Sequence, residues 1–135
     1  MEHIDFFKLQ AKNFLKDFKT KEFDENKICQ YKARFFPDID EIILDCDINE
    51  HKPFSLMNSQ HIIAILAGFS NWQDLIHANK YRLELGKLLF ENRNMYDEDG
   101  LDLHTSWQIY EYNNLNGFDD ESKLDIFNNI FLNKE

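Results

Sequence analysis

The sequence predicts an all-α protein: one compact domain of about five to seven helices around a buried helix-turn-helix. Three observations carry that reading. Only four Gly and two Pro occur in 135 residues, too few for the turns a strand-rich fold needs. Apolar residues recur with the spacing of an α-helix along most of the chain. The segment Phe54–Ala78 contains a run, Ile62-Ile63-Ala64-Ile65-Leu66-Ala67, so apolar that such a helix must be surrounded by other elements.

From the start, Ile4, Phe7, Ala11, Phe14, Leu15 and Phe18 mark one face of a helix over residues 3 to about 19. Lys8, Lys12, Lys16 and Lys19 run along its other side at near i, i+4 spacing, as a wet face or as a row that docks onto acids of the same chain. Residues 20–37 read as an ordered loop with room for one short helix, anchored by Tyr31, Phe35 and Phe36. Pro37 followed by Asp38, Asp40 and Glu41 marks a helix start. The alternation in Leu44-Asp45-Cys46-Asp47-Ile48 also fits a short strand, but no second strand offers itself as a partner, which leaves a helix or an extended loop.

In the central pair, Gly68 supplies a left-handed helix end. Ser70 with Gln73 forms a capping box for the next helix, whose Trp72, Leu75 and Ile76 face inward, with Trp72 expected in the core. Tyr81, Leu85, Leu88, Leu89 and Phe90 continue almost directly into a helix over roughly 80–92. An acidic turn, 95–100, leads to a helix from Leu103 that ends at Asn116-Gly117, and Asp119 or Asp120 caps a last one.

Function is harder to read. The net charge is −10 and uneven: residues 1–34 hold eight Lys and Arg against six Asp and Glu, the remainder seven against nineteen. That acidic body argues against phosphate backbones and favours a basic protein partner, or plain solubility. Asp38, Asp40, Glu41, Asp45, Asp47 and Glu50 crowd six carboxylates into thirteen residues and are the candidate partner-binding set. The helix-turn-helix outline at 60–75 suggests a nucleic-acid regulator, yet its second helix offers no Lys or Arg and includes Asp74.

No catalytic residue, cofactor or metal site is expected. His61 and His77 are the least implausible ligands, since no H-x-x-x-H or C-x-x-C spacing occurs. The turn Met95–Asp102 has half the outline of a calcium loop, with Ser106 where a bidentate Glu is needed. Cys29 and Cys46 are too few for a disulfide framework. The start of the chain lacks a signal-peptide pattern, and no run is long enough to span a membrane. A cytoplasmic setting is the expectation.

The residues Ser59-Gln60, Ala64, Gly68-Phe69, Trp72 and Leu75 follow a pattern of Ser/Ala-Gln, an apolar helix with Ala, then Gly-Phe/Tyr-x-x-Trp-x-x-Leu. In this the chain resembles a family of small helical bacterial domains described as "glyoxalase-related", some of which sit beside glyoxalase-fold domains. The similarity covers roughly residues 35–92. It implies a helical accessory domain. It does not imply glyoxalase activity, because the βαβββ pattern and paired His/Glu ligands of that chemistry are missing, and no catalytic residue carries over. The leading expectation is a non-enzymatic, acidic protein-binding module, of antitoxin, immunity or inhibitor type. The alternatives are an accessory domain of a small-molecule enzyme and, more weakly, a nucleic-acid regulator.

Overall fold

The computed structural model describes residues 2–132. Among them are seven α-helices: α1 (Glu2–Phe18), α2 (Ile39–Asp45), α3 (Leu56–Leu66), α4 (Trp72–Ile76), α5 (Lys80–Glu91), α6 (Leu103–Asn114) and α7 (Asp120–Phe127). A π-helical turn, Asn128–Leu132, extends α7. The only sheet among the described residues pairs β1 (Glu22–Phe23) with β2 (Cys29–Gln30). The protein is helical, as its apolar periodicity predicts. No described helix is long and apolar enough to cross a membrane. The chain divides into two units, residues 5–63 and residues 64–135 with 1–4, the boundary falling inside α3.

In the unit of residues 5–63, α1 buries Phe7, Ala11, Phe14 and Phe18. Phe14 meets Phe36 edge-on at 5.2 Å, and Phe18 lies 4.3 Å from Phe54. Lys8, Lys12, Lys16 and Lys19 are exposed, so the lysine row is the wet face. The Ser59 hydroxyl donates to the Ala11 carbonyl at 2.6 Å, which satisfies a polar group buried among apolar ones.

Residues 20–37 hold no helix, and the expected loop contains a small sheet instead. They form an antiparallel hairpin with Glu22 opposite Gln30 and Phe23 opposite Cys29. Its turn is fixed by Asp24, whose Oδ1 accepts from the N–H groups of Asn26 (2.8 Å) and Ile28 (2.9 Å). Lys27 takes the left-handed conformation, φ +63°. Strands of two residues are too short to leave an alternating pattern in the sequence. Residues 39–45 are helix, which decides between the helix and the extended loop that the sequence left open.

In the other unit, Leu85, Leu89, Leu103, Trp107, Leu115, Leu124 and Phe127 form one apolar cluster from α5, α6 and α7. Trp107 is its central indole, edge-on to Phe127 at 5.1 Å and to Phe131 at 5.5 Å. Trp72, expected in the core, is only half-buried. The reason is local: Asn71, not Ser70, caps α4, its side chain accepting from Asp74 N–H at 2.8 Å. Trp72 is then the first helical residue, and Leu75 is the buried one of the five.

Gly68 ends α3 as expected, at φ +88°. Phe69 N–H bonds to Ala64 O and Gly68 N–H to Ile65 O, the paired bonds of a Schellman cap. Asn79 caps α5 through Arg82 N–H, Asp102 caps α6 through Thr105 N–H, and Asp119 caps α7 through Ser122 N–H.

Candidate functional site

The six acids singled out from the sequence lie on and around α2. Its buried stripe is Ile39, Ile42 and Ile43, an i, i+3, i+4 pattern. Every other position of the helix faces outward. Asp40, Glu41 and Asp45 are exposed, as is Asp47 just beyond the C-terminus. Asp40 and Glu41 in the first turn complement the helix dipole; Asp45 in the last turn opposes it, with no basic residue there to offset it. Glu41 and Asp45 stand one helical turn apart with like charge, which destabilises a helix by a few tenths of a kcal/mol.

The end of α2 is a second Schellman cap. Ile48 N–H bonds to Ile43 O at 3.0 Å and Asp47 N–H to Leu44 O at 3.2 Å. Asp47 occupies the left-handed position, φ +54°, that Gly68 fills in α3. The backbone there bends so that Ile48 returns beside Ile43, and both line a groove of about 370 Å³ with Ile28, Cys29, Asp40, Leu44, Asp47 and Glu50.

The six acids are not equivalent. Among the described residues, Asp40, Glu41, Asp45 and Asp47 have no ion-pair partner, and the Lys8–Lys12–Lys16 row does not bridge to them. Glu50 is half-buried and engaged: its Oε2 accepts from the Tyr31 hydroxyl at 2.5 Å, and its carbonyl accepts from Lys21 Nζ at 2.8 Å. Asp38 is half-buried at the N-cap, where its side chain makes no capping bond. Burial, with the Glu50 contact second, pushes the Tyr31 phenol well above its ordinary value. The same two causes raise the Cys29 thiol, and burial followed by the Asp45 charge raises Cys46. Neither thiol is activated toward nucleophilic chemistry.

The groove's aliphatic members were missed in the sequence. Ile28 is 58% exposed and Leu44 80% exposed, both on the groove. For Leu44 a signal existed: once 39–45 is drawn as a helix, it falls outside the stripe of Ile39, Ile42 and Ile43. For Ile28 none did, because the hairpin that delivers it was not foreseen.

The remaining candidates resolve individually. His61 is exposed and lines a cavity with Cys46, Lys52 and Asn58. His77 is exposed, and its Nδ1 lies 2.9 Å from Gln73 O. Among the described residues, no three His, Cys, Asp or Glu side chains are grouped to hold a metal ion. In the 95–102 turn, Asp97 Oδ1 accepts from Asp99 and Leu101 N–H groups, both at 2.9 Å, and Oδ2 accepts from the Ser106 hydroxyl at 2.9 Å. Those bonds hold its carboxyl below the ordinary aspartate range, and Asp102 is occupied as the α6 cap. The turn is explained by its own hydrogen bonds. The five-residue α4 exposes Gln73 and Asp74 and has no basic side chain.

A second polar site lies near the start of α5. Arg82 Nη2 donates to Gly68 O at 2.7 Å, and its guanidinium carbon sits 3.9 Å from the Phe69 ring centroid. Burial lowers its pKa, against the raising influence of Glu111 and Asp120. Both acids line a cleft with Arg82, but Glu111 is paired with Lys123 at 2.8 Å and Asp120 is bound by Asn79 Nδ2 at 2.7 Å. The arrangement satisfies most of its own charges and plugs the C-terminus of α3.

In comparisons with known proteins, the chain matches no protein-family model, no curated protein and no solved structure.

Proposed function

We propose that this protein is a non-enzymatic binding module that offers the acidic surface of α2 to a basic segment of a protein partner, in the manner of an antitoxin, immunity or inhibitor protein. The observation that supports the reading is the set Asp40, Glu41, Asp45 and Asp47: four exposed carboxylates without an ion pair among the described residues. Like charges gathered without counter-charges cost stability in the free protein, and a cationic partner removes that cost while speeding encounter. The unactivated thiols of Cys29 and Cys46 lend thiol catalysis no support, and both, being free, suit a reducing cytoplasm.

The test is an NMR titration of the ¹⁵N-labelled protein with a Lys/Arg-rich peptide. Shifts should concentrate between residues 38 and 50, weaken with salt, and diminish in a D40N/D47N variant. Shifts spread evenly over the other acidic stretches, including 97–102 and 119–121, would reduce the effect to bulk charge and sink the proposal.

A further inference from the structure

We infer that the groove beside α2 takes an amphipathic basic segment, one whose aliphatic side chain seats between Ile28 and Leu44 while flanking Lys or Arg residues meet Asp40 and Asp47. The inference rests on the binding reading above and specifies its partner. Leu44 is 80% exposed, belongs to no buried stripe, and stands one turn from Asp40 on the same side of α2. Ile28, 58% exposed, reaches the same groove from the hairpin, and Ile43 and Ile48 supply further apolar wall. Exposed aliphatic lips on one concavity, rimmed by charge, form the pattern of an interface whose apolar centre is sealed by a polar rim.

Charge complementarity selects the occupant. Of the three carboxylates lining the groove, Glu50 is held by the Tyr31 hydroxyl. Asp40 and Asp47 remain without an ion pair among the described residues, and they flank Leu44 in sequence by four and three positions. A basic–aliphatic–basic segment answers both features at once. A purely basic segment leaves Ile28 and Leu44 wet, and a purely apolar one leaves two carboxylates to be desolvated without partners.

Two synthetic peptides discriminate, one with a central Leu flanked by Lys on both sides and one with that Leu replaced by Ser. The Leu peptide should bind the wild-type protein about tenfold more tightly, as burial of one aliphatic side chain requires. That advantage should vanish in L44S and shrink in I28S, with the weaker binding of the Ser peptide unchanged. Leu44 is exposed, so L44S should keep the wild-type unfolding midpoint. Contacts from the peptide Leu methyls to Ile28, Leu44 and Ile48 should appear in the nuclear Overhauser spectrum. Equal affinity of the two peptides, still weakened by D40N/D47N, would overturn the groove and leave the acidic-surface reading standing. Failure of both peptides to bind would remove both. Self-association abolished by L44S, seen by analytical ultracentrifugation without peptide, would assign the groove to a second copy and overturn the inference.

Discussion

The carboxylate of Asp17 accepts a hydrogen bond from Phe36 N–H at 2.7 Å, joining the end of α1 to the segment that leads into α2. Arg34 and Phe35 N–H groups complete the set at 2.9 Å each. Asp17 is 1% exposed and sits in the last turn of a helix, where the dipole disfavours an anion; three converging backbone donors offset both penalties. Asp17→Asn keeps the shape but turns an NH₂ toward N–H donors. It should destabilise by about 2–4 kcal/mol in chemical denaturation. A loss below about 0.5 kcal/mol would mean that solvent takes over these donors.

The two tryptophans should separate cleanly. Trp107→Ala removes a 2% exposed indole from the α5–α6–α7 cluster and should cost about 3–5 kcal/mol. Trp72→Ala, at a half-buried first helical position, should cost less than half as much. Equal losses in guanidinium melts would contradict this assignment of the core.

Gly86 has ordinary helical geometry, yet it is a tight site. A Cβ there would stand 2.9 Å from Phe69 Cε2 and 3.2 Å from Ala67 O, beneath the stacked Arg82. Gly86→Ala gains roughly 1 kcal/mol of helix propensity but forces Phe69 and Arg82 apart, at a cost of about 1–3 kcal/mol. The net should be destabilising. A rise in the unfolding midpoint would show that the ring moves freely.

Asp97 links the 95–102 turn to pH. Its carboxyl titrates below the ordinary aspartate range because backbone N–H groups and the Ser106 hydroxyl favour the anion. A depressed folded-state value contributes stability that is present above the ordinary aspartate range. That stability is lost as pH falls through the lowered value. Carboxyl ¹³C titration should find Asp97 below the ordinary aspartate range, and Ser106→Ala should move it up. An unchanged value in Ser106→Ala would deny that contact a role.

On α2 the sign of the salt effect is fixed by what the lysines do. Since Lys8, Lys12 and Lys16 do not bridge to Asp40, Glu41, Asp45 or Asp47, added salt should screen repulsion and stabilise the free protein slightly. Asp45→Asn relieves the Glu41 repulsion and the clash with the helix end and should stabilise by about 0.3–1 kcal/mol. Destabilisation in urea melts would place a hidden cation beside it.

The sequence alone determined the helical class, because a helix face written every three to four residues, as in Phe7–Ala11–Phe14–Phe18, has one cheap way to hide. It also determined the α3 stop, since Gly68 adopts a left-handed backbone with little strain, and narrowed the α7 cap to Asp119 or Asp120. Where two local solutions compete, only the folded chain shows which one is taken. Ser70 and Asn71 can both cap α4, and the choice of Asn71 moved Trp72 out of the core and left that role to Trp107. Asp47 took a left-handed position usually given to glycine, a conformation the surrounding contacts of Ile43 and Ile48 must hold. The hairpin at 22–30 and the Asp17 clamp are both held through backbone N–H groups, which every residue but proline carries and no side-chain pattern announces. The acids of the candidate site could be read directly. The groove that gives them a centre, with Ile28 brought beside Leu44, exists only in the folded chain.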